Sequence, residues 1–208
     1  GSAASLVSLL AHENTDIALA AVEIIGELTD EDVPATEEQF SGLVQAMMDA
    51  DLVGLLVSNL QRLQEDKDEV DREGVYRVLG VVENLCSSAR KETVSELGRD
   101  KSLVTWLLDR VKKEETTPGV VVSQNRQYAA EILAILVQES RENRRRLAEM
   151  DAVDRMLQLV ARYRKRDPEK GGDEEEYVEN LFAALTSLVD EPEGKEKFVE
   201  AEGIELIL

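Results

Sequence analysis

Apolar residues recur along this chain in a fixed template. In LGRDKSLVTWL (97–107) one large apolar residue, Leu97, is followed six, nine and ten places on by Leu103, Trp106 and Leu107. LAEMDAVDRML (147–157) repeats the spacing with Leu147, Val153, Met156 and Leu157, and FVEAEGIELIL (198–208) with Phe198, Ile204, Ile207 and Leu208. Ala46 heads the same pattern over Leu52, Leu55 and Leu56, and Leu6, Leu9 and Leu10 supply its second half at the start. The anchor positions Leu6, Leu52, Leu103, Val153 and Ile204 are 46, 51, 50 and 51 residues apart. A constant period of this length, built on helical spacing, predicts tandem helical units that bury their apolar faces against neighbours, an α-solenoid.

Each unit reads as a short, a medium and a long helix. In the third, RKETVSELG (90–98) and SLVTWLLDRVKK (102–113) precede EETTPGV (114–120), where Pro118 and Gly119 break the pattern. SQNRQYAAEILAILVQES (123–140) then predicts a long helix capped by Ser123, with Ala129, Ile132, Ile135 and Leu136 at helical spacing. In the fourth, RENRRRLAEM and AVDRMLQLVARYRKR precede the linker DPEKGGD. Its long helix EEEYVENLFAALTSLVD opens on carboxylates that suit the helix dipole. The second reads TEEQFSGLVQAMM, LVGLLVSNLQRL and a long helix over about 68–87. The units are 1–33 (without a short helix), 34–88, 89–140, 141–190 and a partial 191–208. Three helices per unit, where HEAT repeats have two, specify an all-α, armadillo-type right-handed superhelix of four to five repeats in one domain, 1–208.

Composition narrows the function. With 43% hydrophobic and 33% charged residues among 208, the chain has material for a core. No run approaches the roughly 18 apolar residues of a membrane span. No secretory signal is legible, and the opening Gly-Ser reads as a cloning scar on a fragment. A single cysteine, Cys86, forms no internal disulfide and suits a reducing compartment. The net charge of −20 opposes direct duplex binding. Residues 1–61 hold eleven Asp or Glu and no Lys or Arg, a field that draws cationic partners or simply a solvated acidic surface. Residues 141–166 hold nine basic residues against four acids. RRR (144–146) and RYRKR (162–166) read as an RNA contact, as cations closing a helix, or as a self-association contact with the acidic amino-terminal region. With no aromatic platform beyond Tyr163, direct RNA binding is the weaker of these. One histidine, His12, and one cysteine assemble no catalytic triad or His-based metal site, so neither an enzyme nor a cofactor is expected. His12 reads as a helix end; Cys86 and Trp106 read as packing residues.

NTDIALAAVEIIGELTD (14–30), LVGLLVSNLQRL (52–63), GVYRVLGVVENL (74–85), WLLDRVK (106–112), EILAILVQES (131–140) and VENLFAALTSL (178–188) together resemble the beta-catenin-like protein 1 family, the spliceosome-associated armadillo proteins, as a divergent, fungal member. The resemblance implies a nuclear, non-enzymatic scaffold of pre-mRNA splicing. Its implied partners are splicing factors of the nineteen-type complex, held through their basic, nuclear-localisation-like segments.

In an armadillo stack the third helices line a concave groove. The ordinary motif sets Asn before the last Leu of that helix. Asn84 before Leu85 matches, whereas Glu27, Ile135 and Ser187 stand before Leu28, Leu136 and Leu188. One turn earlier come Glu23, Gly80, Glu131 and Ala183, and Asn180 lies two turns before Ser187. Glu23, Glu27, Asn84, Glu131 and Asn180 are therefore the candidate peptide-binding residues of an acidic groove suited to Lys and Arg. The blander reading of each glutamate is an exposed helical position. The sparse asparagines speak against a nuclear-transport adaptor of the importin-alpha type, which with an RNA-binding helical repeat is the alternative.

Overall fold

The structure, a computed structural model, describes residues 1–87 and 91–208. The expected boundary between the second and third units, at 88/89, and the first residue of the third short helix, Arg90, lie outside the described residues. Among the described residues the chain is helical, with no strand. It forms two compact units, Gly1–Trp106 and Leu107–Leu208. The division falls inside the medium helix of the third repeat.

In the first unit, α1 (Ser2–Ser8) runs into a 3-10 turn (Leu9–Ala11) and then α2 (Thr15–Thr29). The second repeat supplies α3 (Glu37–Asp49), α4 (Leu52–Arg62) and α5 (Glu69–Ser87). The third begins with α6 (Lys91–Arg99) and α7 (Lys101–Lys112). The helix starts are written in the sequence. Asn14 accepts from the Asp16 N–H at 2.8 Å, and Thr36 with Gln39 forms a reciprocal capping box. Val22, Ile25, Leu52, Val78, Leu79 and Leu85 are fully buried, each worth about 1.5–3 kcal/mol of transfer free energy. Buried Asn59 of α4 donates Nδ2–H to the carbonyls of Leu10 (3.0 Å) and Leu55 (2.9 Å), so the first repeat is hydrogen-bonded to the second.

In the second unit, α8 (Gln124–Glu139) and α11 (Asp173–Val189) pack side by side. Around them stand α9 (Arg141–Glu149), α10 (Ala152–Ala161), α12 (Pro192–Glu200) and the short α13 (Gly203–Ile207). Ser123 caps α8 as expected, accepting from the Arg126 N–H. Tyr177 is buried and donates its hydroxyl to the Val111 carbonyl at 2.8 Å. Buried Arg126 donates Nε–H to the same oxygen at 2.8 Å and lies over the Tyr177 ring, 4.7 Å from its centroid. The end of α11 meets α12 closely: a Cβ on Gly194 would lie 1.8 Å from the Leu188 carbonyl oxygen.

The repeating apolar template is largely the core. Leu52, Leu97, Leu103, Leu107, Val153 and Leu157 have no accessible surface, and Leu147 and Met156 almost none. Two expectations need correction. Ala46 is exposed and Met47 is buried in its place. The turn between α3 and α4 sets this register: Asp51 takes a left-handed conformation (φ 64°), as does Asp151 between α9 and α10 (φ 60°). Met47 stands four residues before Asp51, as Leu147 stands four before Asp151, so the second repeat is offset by one from the template. Leu9, Ile204 and Leu208, all positions of the template, are also exposed, at 41%, 59% and 79%.

Candidate peptide-binding site

On α2 the core side chains Leu19, Val22 and Ile25 leave Asp16, Ala20, Glu23 and Glu27 as a single stripe on the opposite face. On α5, Val70, Glu73, Gly74 and Arg77 run along the side next to it. The two helices approach closely at Gly74, where a Cβ would meet Leu19 Cδ1 at 2.9 Å. Between them lies an open cleft of about 280 Å³ lined by Asp16, Ala20, Glu23, Val70, Glu73 and Arg77. Arg77 spans it, with Nη1 3.2 Å from Glu23 Oε2 and Nη2 2.7 Å from Glu73 Oε1. Two carboxylates therefore face one guanidinium, with Asp16 elsewhere on the cleft wall, and the paired side chains remain partly in water, 38% for Arg77, 60% for Glu23 and 62% for Glu73.

Sequence reasoning found Glu23 and missed Glu73, Arg77 and Asp16. The available signal was the four-residue spacing of Glu73 and Arg77 on one predicted helix. Glu27, one turn beyond Glu23, is exposed. Asn84 joins the same pair of helices, but its amide is engaged internally. Nδ2 donates to the Gly26 carbonyl at 3.1 Å and to Thr29 Oγ1 at 3.2 Å, fastening α5 to the end of α2. Glu131 and Asn180 belong to the second unit, half-buried on α8 and α11. One turn before them Gln127 Nε2 donates to Glu176 Oε2 at 2.9 Å, so these two predicted residues also share one helix pair.

The basic stretch 141–166 is arranged differently from the expectation that RYRKR closes a helix. Helix α10 ends at Ala161 and the chain continues in turns. Beyond the helix end, Tyr163 and Arg166 turn to Glu174 at the start of α11: the Tyr163 hydroxyl donates to Glu174 Oε1 at 3.0 Å and Arg166 pairs with both carboxylate oxygens. Arg162 pairs with Glu114, and Arg155 with Asp109 at 2.7 Å. Arg141 and Arg144 both reach the buried Glu191, at 3.1 and 3.2 Å, and Arg145 stands 3.6 Å from Glu193. These pairings set the titration. Arg141 first, then Arg144, holds the Glu191 carboxyl below the usual range, and Arg162 does so for Glu114. Burial pushes Glu174 up, but Arg166 and Tyr163 override it and hold it low. Burial, then donation to Glu174, pushes the Tyr163 hydroxyl up to about 12. Cys86 is buried, and burial pushes its thiol far up. His12 closes the 3-10 turn, its Nδ1 accepting from the Asn14 N–H at 3.0 Å. Among the described residues no group of three His, Cys, Asp or Glu could hold a metal ion, and no single helix is long and apolar enough to cross a membrane.

A family described as "Catenin-beta-like, Arm-motif containing nuclear" matches residues 1–208. The Beta-catenin-like protein 1 homolog of Schizosaccharomyces pombe is 40% identical over 204 residues, covering 98% of this chain and 35% of that protein. Human Beta-catenin-like protein 1 is 38% identical over 205 residues, with 98% and 35% covered, and the mouse protein 37% over 204, with the same shares. The chain thus spans about a third of the length of these relatives. A solved engineered protein aligns over 99% of this chain and 87% of its own at 17% identity and a TM-score of 0.49, too distant to add to this. By the match along its whole length and by these identities, the chain belongs to the catenin-beta-like family of Arm-motif proteins.

Proposed function

We propose that this chain is part of a nuclear, non-catalytic scaffold of the pre-mRNA splicing machinery, and that it holds Lys- and Arg-rich segments of splicing factors in the α2–α5 cleft. The observation that carries the reading is the cleft itself: Asp16, Glu23 and Glu73 line it, opposed by Arg77, in a region where residues 1–61 carry no Lys or Arg. An extended basic peptide would exchange its hydrated cations for charge-assisted hydrogen bonds to these carboxylates. The family's description as nuclear and Arm-containing agrees with such a role. Residues 141–166 favour RNA less, since their arginines are largely engaged in ion pairs within their own unit.

The test is titration of a labelled Lys/Arg-rich peptide into the chain and into a Glu23→Lys, Glu27→Lys variant, at several salt concentrations. Weakened binding in the variant, and weaker binding by the parent as salt rises, is the expected result. Equal affinity for both proteins would remove the cleft from consideration. Affinity purification from nuclear extract tests the splicing assignment separately; capture of importin beta without splicing factors would replace it by a transport role.

A further inference from the structure

We propose that Thr117 is a phosphorylation site, and that its phosphate docks into an arginine-lined cleft of the same unit. Residues 116–121 of the connection between α7 and α8 are exposed. Within it Thr117, Pro118, Gly119 and Val120 form a turn closed by the Val120 N–H to the Thr117 carbonyl at 3.2 Å, with Gly119 at φ 81°. Proline in the second place and a positive-φ glycine in the third make this a type II turn. An exposed threonine followed by proline is the minimal substrate of a proline-directed Ser/Thr kinase.

The receiving site lies against the same connection. A cleft of about 140 Å³ is lined by Arg126, Arg162 and Arg166 together with Glu114, Val121 and Tyr163. Its volume is below the roughly 300–1,000 Å³ of small-molecule sites, so it fits a single side-chain group. Glu114 occupies part of it, paired with Arg162. That pair is open to water, 54% for the arginine and 68% for the glutamate, and so exchanges readily. A phosphate monoester brings about −1.5 to −2 charge and three acceptor oxygens where Glu114 brings one charge. Planar guanidinium groups bind that geometry bidentately. Thr117 is three residues from Glu114, a span of at most about 11 Å. The phosphate therefore replaces the Glu114 carboxylate on Arg162 and draws the turn onto α10. In the modifying step the γ-phosphoryl group of ATP passes to Thr117 Oγ1, the hydroxyl proton is lost, and ADP leaves.

The test is incubation of the whole chain with ATP and a proline-directed Ser/Thr kinase, with sites and stoichiometry read by mass spectrometry. A phosphorus-31 NMR titration then follows the phosphate. One phosphate at Thr117, absent from Thr117→Ala, is expected. Its second ionisation should fall below the ordinary value of about 6. In the same protein carrying Arg162→Gln and Arg166→Gln, that value should return to the one found in a free EETTPGVV phosphopeptide. Absence of phosphate at Thr117 overturns the modification site. A phosphate titrating as in the free peptide, or unmoved by the arginine substitutions, overturns the docking.

Discussion

Replacing Arg77 by glutamine isolates the electrostatics of the α2–α5 cleft. Arg77 bridges Glu23 and Glu73 at 3.2 and 2.7 Å. Both pairs are exposed, so their loss costs stability no more than about 1 kcal/mol each. The larger effect is on a bound cation. A ligand ammonium or guanidinium sharing the cleft sits about 6 Å from the Arg77 charge. Coulomb repulsion there is roughly 0.7 kcal/mol at the dielectric of water and nearly 3 kcal/mol at an effective value of 20. The exposure of these side chains, 38% for Arg77 and 60% for Glu23, selects the lower end. Arg77→Gln should therefore tighten binding of a Lys/Arg-rich peptide by roughly three- to fivefold at low salt. The gain should vanish in 1 M salt, where the screening length falls to about 3 Å. Fluorescence anisotropy across a salt series measures both, and a urea melt confirms that folding is retained. An affinity unchanged or reduced at low salt, in a folded variant, refutes the reasoning, because it means Arg77 either lies outside the binding site or contacts the ligand itself.

Gly194→Ala should destabilise the chain by about 1–3 kcal/mol in urea unfolding, since its new methyl would stand 1.8 Å from the Leu188 carbonyl oxygen, a backbone atom with no rotamer to change; an unchanged midpoint would mean that α12 does not seat on α11. Asp151→Gly should stabilise by up to about 1 kcal/mol, because Asp151 holds φ at 60° without a side-chain capping bond, a conformation that costs residues other than glycine; thermal melting above the parent's is the expected outcome, and a lower one sinks it. Glu191 and Glu174 have carboxyls held low in the folded state, so as pH falls the unfolded chain takes up protons first. Their contribution is complete above the ordinary glutamate value of about 4.3 and lost as pH drops through the folded values; the stability gap between the parent and Glu191→Gln should close below about pH 4, and a gap constant from pH 7 to 3 contradicts the sign.

The sequence revealed helices well where the signal was local. Asn14 caps α2 and Ser123 caps α8, while Pro118 with Gly119 interrupts the third repeat. Each is a choice made by a few adjacent residues, and period-3.6 spacing does the rest. The register of the second repeat was not legible in the apolar pattern, because Ala46 and Met47 are both apolar. What separates them is a backbone dihedral at Asp51, four residues away from Met47. The sequence clue was the acid shared by Asp51 and Asp151, each leading directly into a medium helix. The end of α10 escaped for a related reason. RYRKR is good helical material by propensity, but Glu174 and Glu114, on other segments, take up the side chains of Tyr163, Arg166 and Arg162.

The same physics explains which site residues could be read. An unpaired surface glutamate and a paired one look alike in a string, since pairing is decided by the helix packed alongside. Glu23 was found because α2 is amphipathic on its own, but that it faces Arg77 depends on how closely α5 approaches at Gly74. Asn84 shows the limit from the other side. Its place before Leu85 matched a peptide-binding motif, and the structure turns its amide to the Gly26 carbonyl and the Thr29 hydroxyl of the neighbouring repeat. A side-chain amide that satisfies the end of a helix is held by the fold before any ligand arrives, and a peptide competing for it would have to leave the Gly26 carbonyl with a replacement donor. Glu23 and Glu73 are held instead by solvent-exposed ion pairs to Arg77, which cost little to exchange, and this makes the cleft carboxylates the part of this surface able to respond to a basic partner.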